Sequence, residues 1–148
     1  MTTLEEVAEL AGRELFLAVV STVRADGSVQ SSVVNAGVLR NPLGGEEAGQ
    51  VVGFVTYGKT KLANLRARPQ VTLTFRFGWA WATVEGRAEL IGPDDPVAGV
   101  DAERLALLLR EVFTAAGGSH DDWDAYDREM AEQRRTVVLV TPGRIYSN

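Results

Sequence analysis

Two β-branched runs joined by a short turn constrain this chain more than any other feature. Leu15 to Val23 (LFLAVVSTV) is rich in β-branched and aromatic residues, is too short for a core helix, and reads as a buried strand. Arg24-Ala-Asp-Gly27 follows, with Asp-Gly suited to a turn that needs positive φ. Ser28 to Leu39 (SVQSSVVNAGVL) then returns as the second strand of a hairpin. Further strand-like runs cover Val51 to Tyr57, Val71 to Phe77, Trp79 to Ile91 and Thr136 to Val140, with Pro142 to Asn148 as a tail able to extend the last. Gly86 is a candidate bend in the fifth strand. Arg40 to Gln50 (RNPLGGEEAGQ) has loop composition.

Helical spacing fills the gaps. Thr3-Leu-Glu-Glu6 fits a capping box ahead of Leu4, Val7, Ala8 and Ala11, ending near Gly12. Thr60 to Arg68 is a short helix stopped by Pro69. Asp101 to Ala116 carries Leu105, Leu108, Leu109, Val112 and Phe113 on one face, and Gly117-Gly118 stops it. Ser119-His-Asp-Asp122 opens a last helix striped by Trp123, Tyr126 and Met130. The order α-β-β-β-α-β-β-α-α-β predicts a mainly β protein with flanking helices, its six antiparallel strands forming a small barrel.

With 148 residues, 45% of them hydrophobic and 24% charged, the chain is expected to be one folded domain over residues 1–148. It has no cysteine and a single histidine, which excludes disulfides, thiolate nucleophiles and multi-histidine metal sites. No apolar run approaches the ~20 residues that span a bilayer, and the acidic start MTTLEEVAELAG is unlike a secretory signal. A soluble, cytoplasmic protein with no membrane partner is expected. A net charge of −5 argues against nucleic acid as a partner.

The charges are segregated. Lys59 to Arg87 holds six basic residues against Glu85 alone, whereas Asp101 to Glu132 holds nine acids against three arginines. Either the two stretches neutralise each other, or the basic one faces a small anion. The chain's only two lysines, among fifteen basic residues, are Lys59 and Lys61. They flank Thr60 where a strand, through Gly58, runs into a helix. Leading helix amides, a hydroxyl and two compact ammonium groups make an anion site, although the GxxxxGK[ST] spacing of a P-loop is missing. Tyr57, Phe77, Trp79 and Trp81 could wall a flat ring or simply fill core or interface, and the alternation Trp79, Trp81, Thr83 predicts one sheet face for both tryptophans. His120, beside Asp121 and Asp122, reads as a helix-start residue, and no GxSxG accompanies it. Arg134-Arg135 reads as a helix C-terminal cap or as a reach toward an anionic ligand tail.

Four segments together resemble the split β-barrel flavin and deazaflavin oxidoreductases related to pyridoxamine 5′-phosphate oxidase. They are DGSVQSSVVNAGV (from Asp26), KTKLANLRARPQVTLTF (from Lys59, with Lys61, Asn64, Leu65, Pro69 and Val71 matching), WATVEGRAELI (from Trp81) and TVVLVTPGRIYS (from Thr136). GGSHDDWDAYDREMAEQRR and the Trp79/Trp81 pair are similar to the actinobacterial branch that uses coenzyme F-420, a 5-deazaflavin.

The resemblance implies a homodimer with cofactor sites at its interface. It implies that Lys61, helped by Lys59 and Thr60, binds the cofactor phosphate. Ser31, Ser32, Val33, Val34 and Asn35 would run beside the ring edge. Val55 and Thr56 would lie under the ribityl chain, with Tyr57 next to them. Trp79 and Trp81, or Arg76, would come from the partner subunit. The implied activity is hydride transfer from F-420, or FMN, to an electron-poor small-molecule substrate. The alternative is a non-catalytic flavin, deazaflavin or tetrapyrrole binder. No protein side chain is needed as nucleophile or base, and none is assigned a catalytic role. The oxidase's own C-terminal extension, which holds pyridoxal phosphate, has no counterpart, so vitamin B6 synthesis is not expected.

Overall fold

The computed structural model describes residues 1–148. In chain order the elements are α1 (Leu4–Arg13), β1 (Leu17–Val23), β2 (Val29–Arg40), β3 (Gln50–Thr56), α2 (Lys59–Ala67), β4 (Gln70–Phe77), β5 (Ala80–Ile91), α3 (Ala102–Ala115), α4 (Trp123–Glu132) and β6 (Thr136–Ser147). The strands close into a barrel in the order β1-β2-β3-β6-β5-β4, with every neighbouring pair antiparallel.

Local chemistry sets the strands in place. The β1–β2 turn is closed by Asp26, whose carboxylate accepts from the Ser28 N–H and hydroxyl, with Gly27 at φ 86°. Side chains alternate on β1, with Ala18, Val20 and Thr22 buried and Val19 facing out. β3 and β6 are covered on both faces, which explains their unbroken apolar runs. Val52, Phe54, Val138 and Val140 point into the barrel, while Val51, Val137 and Leu139 point outward against α3 and α4. The barrel interior is closed by Leu4, Val7 and Ala11 of α1 and by Leu62 and Leu65 of α2. α3 lies against β2 so closely that a Cβ on Gly37 would stand 2.0 Å from the Ala115 carbonyl oxygen. The β5–β6 ladder shifts register between Glu85 and Gly86, at the bend the sequence predicts.

Two boundaries differ from the sequence reading, and the C-terminal tail extends the last strand as that reading allows. β1 starts at Leu17, because Leu15 and Phe16 form a corner with φ of 56° and 60°. That left-handed pair turns the chain from α1 into the barrel. The Phe16 N–H donates to Ala11 O and the Phe16 carbonyl accepts from the Ala36 N–H, each at 2.8 Å. Trp79 sits in the β4–β5 turn rather than in β5, so strand alternation does not pair it with Trp81. The tail after Val140 is β6 itself, continuing through the ladder with β5 to Ser147. No helix is long and apolar enough to cross a membrane, and no cluster of three or more potential metal ligands exists.

Candidate functional site

β3 ends at Thr56, and the chain passes through Tyr57 and Gly58 into α2. Gly58 occupies the N-cap position and brings no side chain to it, so the leading amides of α2 have no side-chain acceptor. Lys61, in the first turn, is only 7% exposed. Its Nζ donates to Thr56 Oγ1 at 3.1 Å and lies 6.0 Å from the Phe54 ring. It enters no ion pair with any carboxylate. Burial, and then the nearby Arg135 guanidinium, push its pKa below the ordinary lysine value. A buried ammonium with one hydroxyl partner and a cationic neighbour is an unsatisfied charge.

Arg135 lies between α4 and β6. Its guanidinium sits 3.8 Å from the centre of the Tyr57 ring, and its Nε donates to Gln133 Oε1 at 2.8 Å. Arg134, the other half of the pair, turns away to Asp94. The basic middle and the acidic stretch do not neutralise each other. Arg66 pairs with Asp95, Arg68 and Arg76 donate to backbone carbonyls, and none of these partners belongs to Asp101–Glu132.

Lys61 and Arg135 are the only charged residues lining a cavity of about 730 Å³. Its wall can be followed by contact. From Arg135, whose backbone N–H donates to Met130 O at 3.0 Å, it continues along α4 to Tyr126 and then to Phe113, whose ring centre is 4.9 Å from that of Tyr126. The Gly117–Gly118 turn comes next, packed against Phe16 and Phe113. Leu15 and Asn35 follow, joined by Asn35 Nδ2 donating to Leu15 O at 2.9 Å. Tyr126 is buried, donates to Leu109 O at 3.1 Å, and burial pushes its pKa up to about 12, so it stays protonated.

Seven of the residues singled out from sequence meet at this cavity: Val33, Val34, Asn35, Val55, Thr56, Tyr57 and Lys61. Lys59 and Thr60 are exposed on the first turn of α2 and do not line it. Ser31 faces outward and shares a hydrogen bond with Ser21, whereas the Ser32 hydroxyl is buried without a partner. Arg76, Trp79 and Trp81 lie away from the cavity of their own chain. Arg76 donates to Gly78 O, Trp79 is 93% exposed, and Trp81 packs edge-on to Tyr146. His120 accepts from the Asp122 N–H at 3.0 Å and packs near Trp123 and Tyr126, a local helix-start arrangement. Phe16, Phe113, Tyr126 and Met130 line the cavity although their sequence pattern marks them only as strand or helix core. Arg135 carried a partial signal, as one of two adjacent arginines after a helix.

The antiparallel barrel carries a cavity in which an unpaired buried lysine stands against apolar walls, an arrangement whose chemistry suits an anionic organic molecule. The chain is a member of the pyridoxamine 5′-phosphate oxidase family, whose model matches residues 4–148. Among solved structures it is similar to a conserved hypothetical protein from Mycobacterium tuberculosis. That match has TM-score 0.65 and 19% identity, covering 99% of this chain and 84% of that one. An F420 reductase matches with TM-score 0.58 and 16% identity, covering 90% of this chain and 91% of the other. An FMN-binding protein related to pyridoxamine 5′-phosphate oxidase, from Nostoc punctiforme, matches with TM-score 0.61 and 14% identity over 97% and 82% of the two chains. At these identities the structural likeness speaks for the fold.

Proposed function

We propose that the protein is an oxidoreductase that holds a phosphorylated redox cofactor, coenzyme F-420 or alternatively FMN, in the Lys61 cavity. The carrying observation is Lys61 itself, a buried ammonium with no carboxylate beside it. The uncapped amides of α2 and the Arg135 guanidinium add donors of the same sign, so the residues present fit a phosphate. Lys59 extends that positive potential outward, and Thr60 adds a hydroxyl donor. Val55 and Thr56 would flank the chain that leads away from the phosphate, and Val33, Val34 and Asn35 would border the ring, with Ser31 and Ser32 farther along β2. The cofactor supplies a hydride when reduced. Held by Lys61, Arg135 and the leading amides of α2, the reduced cofactor would supply that hydride to an electron-poor acceptor and would itself be oxidised by two electrons. The protein's part is to grip, orient and keep water out.

The whole chain works as one cofactor-binding domain, in the cytoplasm, and as a homodimer. Val19 and Val33 are cross-strand partners on the outer barrel wall, 44% and 62% exposed, and Trp79 is more exposed still. A second copy would cover this strip and bring its Arg76, Trp79 and Trp81 toward the neighbouring cavity. Titration of the purified protein with F-420 and with FMN, followed by fluorescence, tests the assignment. At least one should bind with Kd below roughly 100 μM, and Lys61→Ala should weaken it tenfold or more. Failure of both cofactors sinks the proposal. A bound, reduced cofactor that is never oxidised by a panel of acceptors faster than free in solution would favour the non-catalytic binder.

A further inference from the structure

The cavity has two chemically different ends. Lys61, Thr56, Tyr57 and Arg135 make one. The other is built from segments far apart in the chain: the Leu15–Phe16 corner, Phe113, and the Gly117–Gly118 turn that follows α3 and packs on both phenylalanines. That second end contains no charged side chain, and no carboxylate lines the cavity anywhere.

The apolar end is also held rigidly and at a cost. Leu15 and Phe16 both adopt left-handed backbone, with φ of 56° and 60°, which side chains of this size disfavour. Hydrogen bonds to Ala11 O, from Asn35 Nδ2 and from the Ala36 N–H pin the corner. Glycines make room for its ring. A Cβ on Gly117 would stand 2.4 Å from Phe16, and a Cβ on Gly118 would stand 2.4 Å from Phe113. Strain that the surroundings over-determine tends to collect where a binding surface is being shaped. A polar acceptor would exchange water for apolar walls here, and a cationic one would lie in a cavity whose only charges are positive.

We infer that the apolar end is the acceptor pocket and selects an uncharged, largely apolar ring compound, with Phe113 and the Leu15–Phe16 corner as its specificity-determining walls. This inference rests on the proposed cofactor end and deepens it.

Calorimetric titration with two ligands of one shape tests it: neutral 1-naphthalenemethanol and cationic 1-naphthalenemethylammonium, each added to wild-type protein with and without FMN. The alcohol should bind one per chain, at least tenfold tighter than the ammonium, and FMN should not displace it. Gly118→Ala, whose backbone is not left-handed and whose new methyl must displace the Phe113 ring, should weaken the alcohol tenfold and leave FMN affinity within twofold. Lys61→Ala should do the reverse. Equal binding of the two naphthalenes, or a Gly118→Ala loss that falls on FMN instead of the alcohol, overturns the inference. If Lys61→Ala leaves the binding of both FMN and F-420 unchanged while the alcohol behaves as described, the cofactor assignment fails and the apolar pocket stands. The wild-type comparison of alcohol and ammonium decides the matter even if a variant does not fold.

Discussion

Lys61 is expensive to the empty protein. Its ammonium is buried, has a single hydroxyl partner and faces a guanidinium. Lys61→Met keeps the length of the side chain and removes the charge. The variant should unfold at a higher temperature than wild type near neutral pH, by about 1 kcal/mol, or roughly 2–4 °C for a chain of this size. It should also lose cofactor affinity. The pH dependence has a definite sign. The folded-state pKa lies below the unfolded one, so the penalty is complete below the folded value and relieved as pH rises through it. The thermal advantage of Lys61→Met should therefore narrow in alkaline buffer. A melting series across pH checks both statements, and an advantage that widens with pH would contradict them. An anion in the cavity raises the lysine pKa again, so cofactor affinity should fall as the solution becomes alkaline.

At the scale of elements, the closeness of α3 to the barrel decides whether the apolar walls exist. Gly37 makes that approach possible, since its Cβ position is occupied by the Ala115 carbonyl. Both sides of this contact are backbone and neither can swing aside. Gly37→Ala should cost about 1–3 kcal/mol, read as a lower midpoint in urea, and should weaken apolar ligands more than it weakens phosphate. The same contact shows why the site was only half legible in the sequence. The residues around Lys61 are consecutive or nearly so, and their chemistry can be read from spacing alone. Phe16, Phe113, Tyr126 and Met130 become neighbours only when α3 and α4 pack on β3 and β6, and periodicity reports them as core. Strands and helices were legible because turns and caps are local. The Leu15–Phe16 corner was not, because a β-branched run gives no sign that its first two residues are held left-handed by contacts with Ala11, Asn35 and Ala36.

For the molecule as a whole, the outer wall of β1 and β2 is the surface that asks for a partner. Val19→Asp places a carboxylate among Val33 and Thr74, its cross-strand neighbours. The isolated barrel should tolerate this change, because Val19 faces outward. Sedimentation should shift from dimer to monomer, with the circular dichroism unchanged. A wild-type protein that sediments as a monomer at micromolar concentration would remove the basis for placing Arg76, Trp79 and Trp81 at a neighbour's cavity.

The strand that comes latest in the chain is wedged between two that precede it, pairing Thr136–Val140 with β3 and continuing along β5 to Ser147. Until it inserts, β3 and β5 have open edges, and Arg135 has nothing to anchor it beside Tyr57. The ring must wait for its keystone. Half-made chains leaving the ribosome therefore carry exposed strand edges and no competent cavity. A ligand bound at the Lys61 cavity would therefore stabilise only molecules whose ring has closed.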